Sequence, residues 1–122
     1  MTADELQALI DDATFDHVSG DSAAALEKLG RATTLHPDCA EAWHALAEIN
    51  LGQRRLDAAL EAGERALALG KSDPLIIATL SRIWMERGDK ARAEHFGAMA
   101  RMQGWKDELR SPPPPPDAGG LR

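Results

Sequence analysis

The chain has 122 residues, 28% of them charged, with no tyrosine, two phenylalanines, one cysteine and a formal net charge of −6. That length suits one small domain with a real core, while the acidity argues against a nucleic-acid or anionic-membrane surface, which needs a basic stripe. A single cysteine makes no intramolecular disulfide. No apolar run approaches the roughly 20 residues of a membrane span, and the start, MTADELQALIDD, lacks a signal peptide's basic and apolar segments, so a cytoplasmic chain is expected.

A first helix is predicted over about 3–18, opened by Thr2 and Glu5 at capping-box spacing. This end is acidic: residues 1–27 hold seven carboxylates and no Lys or Arg, whereas the other thirteen acids nearly balance fourteen bases. Gly20-Asp21 marks a turn into a second helix over about 22–35, closed by Pro37. The stretch DCAEAWHALAE begins a third helix over about 40–51, with Asp38 and Glu41 again at capping-box spacing. Arg54-Arg55 precedes a fourth over about 56–69. Asp73 and Pro74 open a fifth over about 74–87, with proline where no N–H is needed. Gly88-Asp89 leads to a sixth over about 90–103. Gly104 interrupts it, and Trp105–Arg110 is expected to form a short turn that folds Trp105 and Leu109 back as a partial cap. The remainder, SPPPPPDAGGLR, has no means of packing. Its prolines favour an extended polyproline II helix and its end is expected to be disordered. Arg110, Pro113 and Pro116 also fit the R-x-x-P-x-x-P pattern of SH3 ligands, although five consecutive prolines meet it almost automatically.

These helices repeat. Ala25, Ala59 and Ala93 are 34 residues apart, as are Ala32, Ala66 and Ala100, and as are Ala13, Ala47 and Ser81. Small residues on one period let paired helices approach, with larger apolar side chains filling beside them. Leu26, Leu29, Leu35, Trp43, Leu46, Leu60, Leu67, Leu69, Ile77, Leu80 and Trp84 form the expected core. A lone helix pair cannot bury its apolar face, and three stacked pairs can. The expected architecture is all-α: an α–α superhelix of three helix–turn–helix repeats (about 6–39, 40–73 and 74–107) in a domain over 1–110, followed by a proline-rich tail over 111–122.

The chain resembles tetratricopeptide-repeat proteins. The middle unit matches best, with Trp43, Leu46, Ala47, Ala59, Leu60 and Ala66. The third carries Ile77, Leu80, Ser81, Trp84, Gly88, Asp89, Ala93 and Ala100, and the first Leu9, Ala13, Gly20, Asp21, Ala25, Ala32 and Pro37. Asp12 and Asp16 depart from the family's Leu and aromatic slots, and Lys71 and Trp105 stand where the closing Pro belongs. The resemblance implies a non-catalytic adaptor or scaffold whose first helices line a concave groove for a partner peptide or helix. Carried over slot by slot, the groove residues are Gln7, Ile10, Asp11, Thr14 and His17, then Glu41, His44, Ala45, Glu48 and Leu51, then Leu75, Ala78, Thr79, Arg82 and Met85. Acid at the N-terminal end implies a partner with a basic element there. Some family members clamp a chaperone's terminal carboxylate with Lys, Asn and Arg. Here Ile10, Thr14, Ala45, Leu75 and Thr79 occupy those slots and offer no cation or amide. A client-holding chaperone similar to small three-repeat bacterial secretion chaperones, or an oligomer stacked end to end across the degenerate first repeat, are the competing expectations.

Reactive chemistry finds weak support. Glu41, His44 and Glu48 share a helix face and, with His17, could be imagined around a metal. No second ligand cluster with metal spacing accompanies them, so a polar stripe facing a partner is expected and no cofactor or metal. Cys39 near a helix start lacks an evident base and orienting group. Asp12 and Asp16 lack an apolar pocket for acid–base work. No phosphate-binding glycine loop or hydrolase motif is present.

Overall fold

The computed structural model describes residues 1–110. It contains α1 (Ala3–Val18), α2 (Ser22–Leu35), α3 (Ala40–Gly52), α4 (Leu56–Leu69), α5 (Pro74–Glu86) and α6 (Lys90–Arg110), with no strand among the described residues. The proline-rich segment and its R-x-x-P-x-x-P pattern lie beyond that range, apart from Arg110.

Local chemistry sets the boundaries. Thr2 accepts the Glu5 N–H at 3.1 Å while the Glu5 carboxylate accepts the Thr2 N–H at 2.9 Å, a complete capping box. The same contacts hold the Glu5 carboxyl below its ordinary range, the Thr2 backbone bond contributing most. Asp73 accepts the Leu75 N–H at 2.9 Å ahead of Pro74. The turn inside each pair needs one residue in the left-handed region. Gly20 (φ 97°) and Gly88 (φ 86°) supply it without strain, whereas the middle copy uses Arg54 at φ 61°. The next position caps the following helix in the outer copies: Asp21 accepts the Ala24 N–H and Asp89 the Arg92 N–H. Arg55 makes no such bond.

Helices pair as α1–α2, α3–α4 and α5–α6. Each second helix also packs on the first helix of the next pair, and the first helices touch in the order α1, α3, α5. The small-residue series lies at these crossings. Ala13, Ala25, Ala32, Ala47, Ala59 and Ala66 have no exposed surface, and Ala93 has 1%. Leu29, Ile76, Ile77, Leu80 and Ile83 are the largest fully buried side chains.

Four expectations need correction. α6 runs through Gly104 to Arg110 as one helix, and Trp105 and Leu109 are exposed at 72% and 86%, so no turn folds back as a cap. A single glycine costs a helix only about 1 kcal/mol, which its neighbours outweigh. The N-cap of α3 is Cys39, which makes no side-chain cap bond, so Asp38 and Glu41 do not form a capping box. The helix starts one residue too late for it. The entry loop is held instead by the Trp43 indole N–H donating to the Pro37 carbonyl at 2.9 Å. Leu35 and Leu69 are exposed rather than core, because each is the last residue of its helix and reaches past the packed layer. Trp43 and Trp84 are only partly buried. Arg65 lies over the Trp43 ring, and Arg87 and Arg92 flank that of Trp84.

The two acids that break the repeat pattern have different fates. Asp16 pairs with Lys28 of α2 at 2.6 Å, so a polar bond joins α1 to α2 where an aromatic contact would stand. The Asp16 bond raises the Lys28 pKa. Asp12 remains exposed.

Candidate functional site

The first helices α1, α3 and α5 lie side by side, and the hollow along them is the candidate site. Its larger part is a cavity of about 610 Å³. Ile10, Thr14, Ala45, Leu75 and Ile76 supply much of its lining, with Glu41, His44, Glu48 and Asp73 as its ionisable members. Among the described residues no Lys or Arg lines it. A second hollow of about 310 Å³ follows toward the C-terminal ends of α3 and α5, lined by Leu51, Gly52, Arg54, Arg82, Met85 and Glu86. The Arg54 guanidinium pairs there with the Glu86 carboxylate.

Two polar bridges join the first helices across this surface. The Gln7 amide donates to Asp11 at 3.0 Å and to Glu41 of α3 at 3.1 Å. His44 Nε2 stands 2.8 Å from Thr79 Oγ1 of α5. The Thr79 hydroxyl also lies 3.0 Å from the Leu75 carbonyl, which can only accept. Its one proton is therefore committed, Thr79 accepts from the imidazole, and His44 carries its proton on Nε2. Glu48 Oε1 is 3.9 Å from the same nitrogen.

Residues 18–74 match the family model described as Tetratricopeptide repeat. That stretch, from the end of α1 to the start of α5, carries the tetratricopeptide repeat. Solved structures agree on the fold. The repeat protein resembles the Yersinia enterocolitica type III secretion translocator chaperone SycD, in its alternative dimer, with a TM-score of 0.80 and 17% identity over 91% of this chain and 81% of that one. It also resembles MamA, with a TM-score of 0.78 and 18% identity over 91% of this chain and 61% of MamA. No curated protein matches it.

The sequence-derived groove residues separate into distinct positions. Ile10, Thr14, Glu41, His44, Ala45, Glu48 and Leu75 border the larger cavity, and Leu51, Arg82 and Met85 the smaller. Gln7 and Asp11 are exposed beside the larger cavity, the Gln7 amide donating to both Asp11 and the cavity residue Glu41. Ile10 and Thr79 are 3% exposed and Leu51 is 7% exposed, so packing is their first role. Ala78 is half-buried and lines neither cavity. His17 turns to the α1–α2 corner, where its Nδ1 is 2.9 Å from Ser22 Oγ, away from Glu41 and Glu48. Among the described residues no three His, Cys, Asp or Glu side chains gather in an arrangement that fits a metal ion.

Sequence reasoning missed Asp73 and Ile76 in the larger cavity and Arg54 and Glu86 in the smaller. Asp73 was legible only as a helix cap. The start of α5 forms one end of the hollow, so the cap serves as its border too. A third hollow of about 580 Å³ also went unpredicted. It lies on the opposite side, between α4 and α6, and includes Leu67, Leu80, Trp84 and Phe96. No helix among the described residues is long and apolar enough to cross a membrane.

Proposed function

We propose that the chain is a non-catalytic adaptor that holds an extended segment or amphipathic helix of a partner protein along α1, α3 and α5. The partner presents a basic element toward the α1 end and apolar anchors beside it. The observation that carries this reading is the composition of the 610 Å³ cavity: an apolar floor at Ile10 and Ile76 beneath Glu41, Glu48 and Asp73, with no cation among its described lining residues. A Lys or Arg stem covers the floor while its head meets the carboxylates. A groove built on packed helices takes such a segment with little ordering cost to itself.

The test compares partner binding by wild type, by a variant carrying Asp11→Lys with Glu48→Lys, and by one carrying His44→Ala with Arg82→Ala. Partners are first captured from the source lysate and affinities are then measured with the purified partner. Both variants are expected to lose affinity. Charge reversal that leaves affinity unchanged sinks the reading.

A second reading is supported by the fold likeness to a translocator chaperone. Here the same groove keeps an unfolded client segment soluble. A client whose solubility on co-expression depends on this chain favours it, and a client soluble alone speaks against it.

A further inference from the structure

The two ends of the superhelix carry the two halves of a joint that its interior makes twice. In the α4–α5 joint, Gly63 lies under the next helix. A Cβ placed there would stand 3.0 Å from Leu80 Cδ2 and 3.4 Å from Ile83 Cδ1. Leu67 packs against the same cluster. In the α2–α3 joint the corresponding residues are Leu29, Leu46 and Ile49: Leu29 and Ile49 are buried in one cluster and Leu46 packs against it.

Stepping one 34-residue period on from α4 reaches α6. Gly63 becomes Gly97, Leu67 becomes Arg101, Ala68 becomes Met102 and Lys71 becomes Trp105. This face is open, with Met102 and Trp105 exposed at 59% and 72%. Ala98, Arg101, Met102 and Trp105 border a shallow hollow of about 170 Å³. Their period mates Glu64, Leu67, Ala68 and Lys71 border the 580 Å³ hollow between α4 and α6. Among the described residues the terminal hollow is thus the internal one without its far wall. The sequence does not repeat that wall, because one period beyond Leu80 and Trp84 stand Pro114 and Ala118.

The missing wall has a counterpart at the other end. One period before Ile49, and two before Ile83, is Phe15. Ile49 and Ile83 are 3% and 0% exposed, and Phe15 is 68% exposed. The slot of Leu46 and Leu80 holds Asp12. Among the described residues neither Asp12 nor Arg101 forms an ion pair. Charge also matches along the faces. α1 has five acids and no Lys or Arg, and α6 has five bases against three acids.

We propose that copies of this chain associate head to tail, α1 of one docking on α6 of another in the register of the internal joints. Phe15 covers Gly97, a large side chain over a glycine as Ile83 lies over Gly63. Asp12 meets Arg101, a charged pair replacing the internal contact of Leu80 with Leu67. Such an interface is heterologous, so each added copy exposes a fresh α6 face and assembly does not stop at a dimer. The groove uses Ile10 and Thr14 of α1, so stacking through Asp12 and Phe15 is a separate event from partner binding.

The experiment is sedimentation velocity on the full chain at rising concentration, with circular dichroism as the folding control. Mass is expected to climb beyond two copies. Asp12→Arg alone and Arg101→Asp alone are each expected to weaken association about tenfold, in line with a desolvated charge pair. The two changes together are expected to restore it. A chain that stays monomeric throughout overturns the proposal. So does a strict dimer, or an assembly that the double exchange fails to restore, because either denotes a symmetric contact made elsewhere, for example around Trp105. Substitution Phe15→Ser, at an exposed site, supplies an independent break: unchanged association also overturns it.

Discussion

His44 donates through Nε2 to Thr79, 35 residues along the chain, and so ties α3 to α5 beside the cavity that both helices border. Thr79 is buried, and the His44 side chain is 16% exposed. The net worth of such a bond is about 1 kcal/mol. His44→Ala and Thr79→Val are each expected to lower unfolding free energy by roughly that amount. A double-mutant cycle in urea should return a coupling of about 0.5–1.5 kcal/mol. A coupling near zero would show that the pair is not formed in solution.

Glycines inside the helices separate by what surrounds them. A methyl at Gly30 meets nothing within 4 Å, so Gly30→Ala should gain the helix propensity difference of about 1 kcal/mol. At Gly63 the methyl would press on Leu80 and Ile83, both fully buried and unable to yield freely. The overpacking cost of about 1–3 kcal/mol exceeds the propensity gain, so Gly63→Ala should lower the melting temperature where Gly30→Ala raises it.

The middle turn is the least favourable of the three. Arg54 sits in the left-handed region at a cost of roughly 1–2 kcal/mol, and its pairing with Glu86 is exposed and returns under about 1 kcal/mol. Arg54→Gly should therefore stabilise the protein by about 0.5–1 kcal/mol. Arg55→Asp copies the capping residue of the outer turns and should add about 1 kcal/mol. Chemical denaturation of each variant and of the pair checks both values and their additivity.

Acid should loosen the caps before the rest. Glu5 and Asp89 both titrate below their ordinary values of 4.5 and 3.8, each held down first by a backbone N–H, that of Thr2 and that of Arg92. A depressed folded pKa contributes stability that is present above the unfolded value and is lost as pH falls through the folded one. Amide exchange at the first turns of α1 and α6 should thus accelerate as pH drops below about 4, after allowance for intrinsic rates, while the first turn of α3, capped by no carboxylate, changes less. Equal loss at all three would contradict this. Lys28 works in the opposite sense: its raised pKa stabilises at and below neutrality and is lost only as strongly alkaline pH removes its proton.

The fold was legible because its period is written in buried residues. Ala25, Ala59 and Ala93 lie at crossings where a larger side chain would hold the helices apart, so the constraint shows directly in the sequence. The candidate groove was legible only in outline. Helical spacing places Ile10 and Thr79 on the inner face, but does not reveal how deeply neighbours cover them. His17 shares that face in projection, yet Ser22 lies close enough to take its ring nitrogen. The hollow around Trp84 and Phe96 depends on the splay between second helices, which no single repeat encodes. Asp16 read as a defect because its remedy, Lys28, stands on another helix.

That splay gives the molecule unequal stiffness. Among the described residues the backbones of α4 and α6 stay apart, whereas α1, α3 and α5 touch in sequence and are stitched by Gln7 to Glu41 and by His44 to Thr79. Opening the inner row breaks directional bonds, while spreading the outer row widens a gap and loosens only the apolar packing of each second helix on the next first helix. Flexing should therefore pivot about the inner row, much as a book turns on its spine, with the outer helices as the pages.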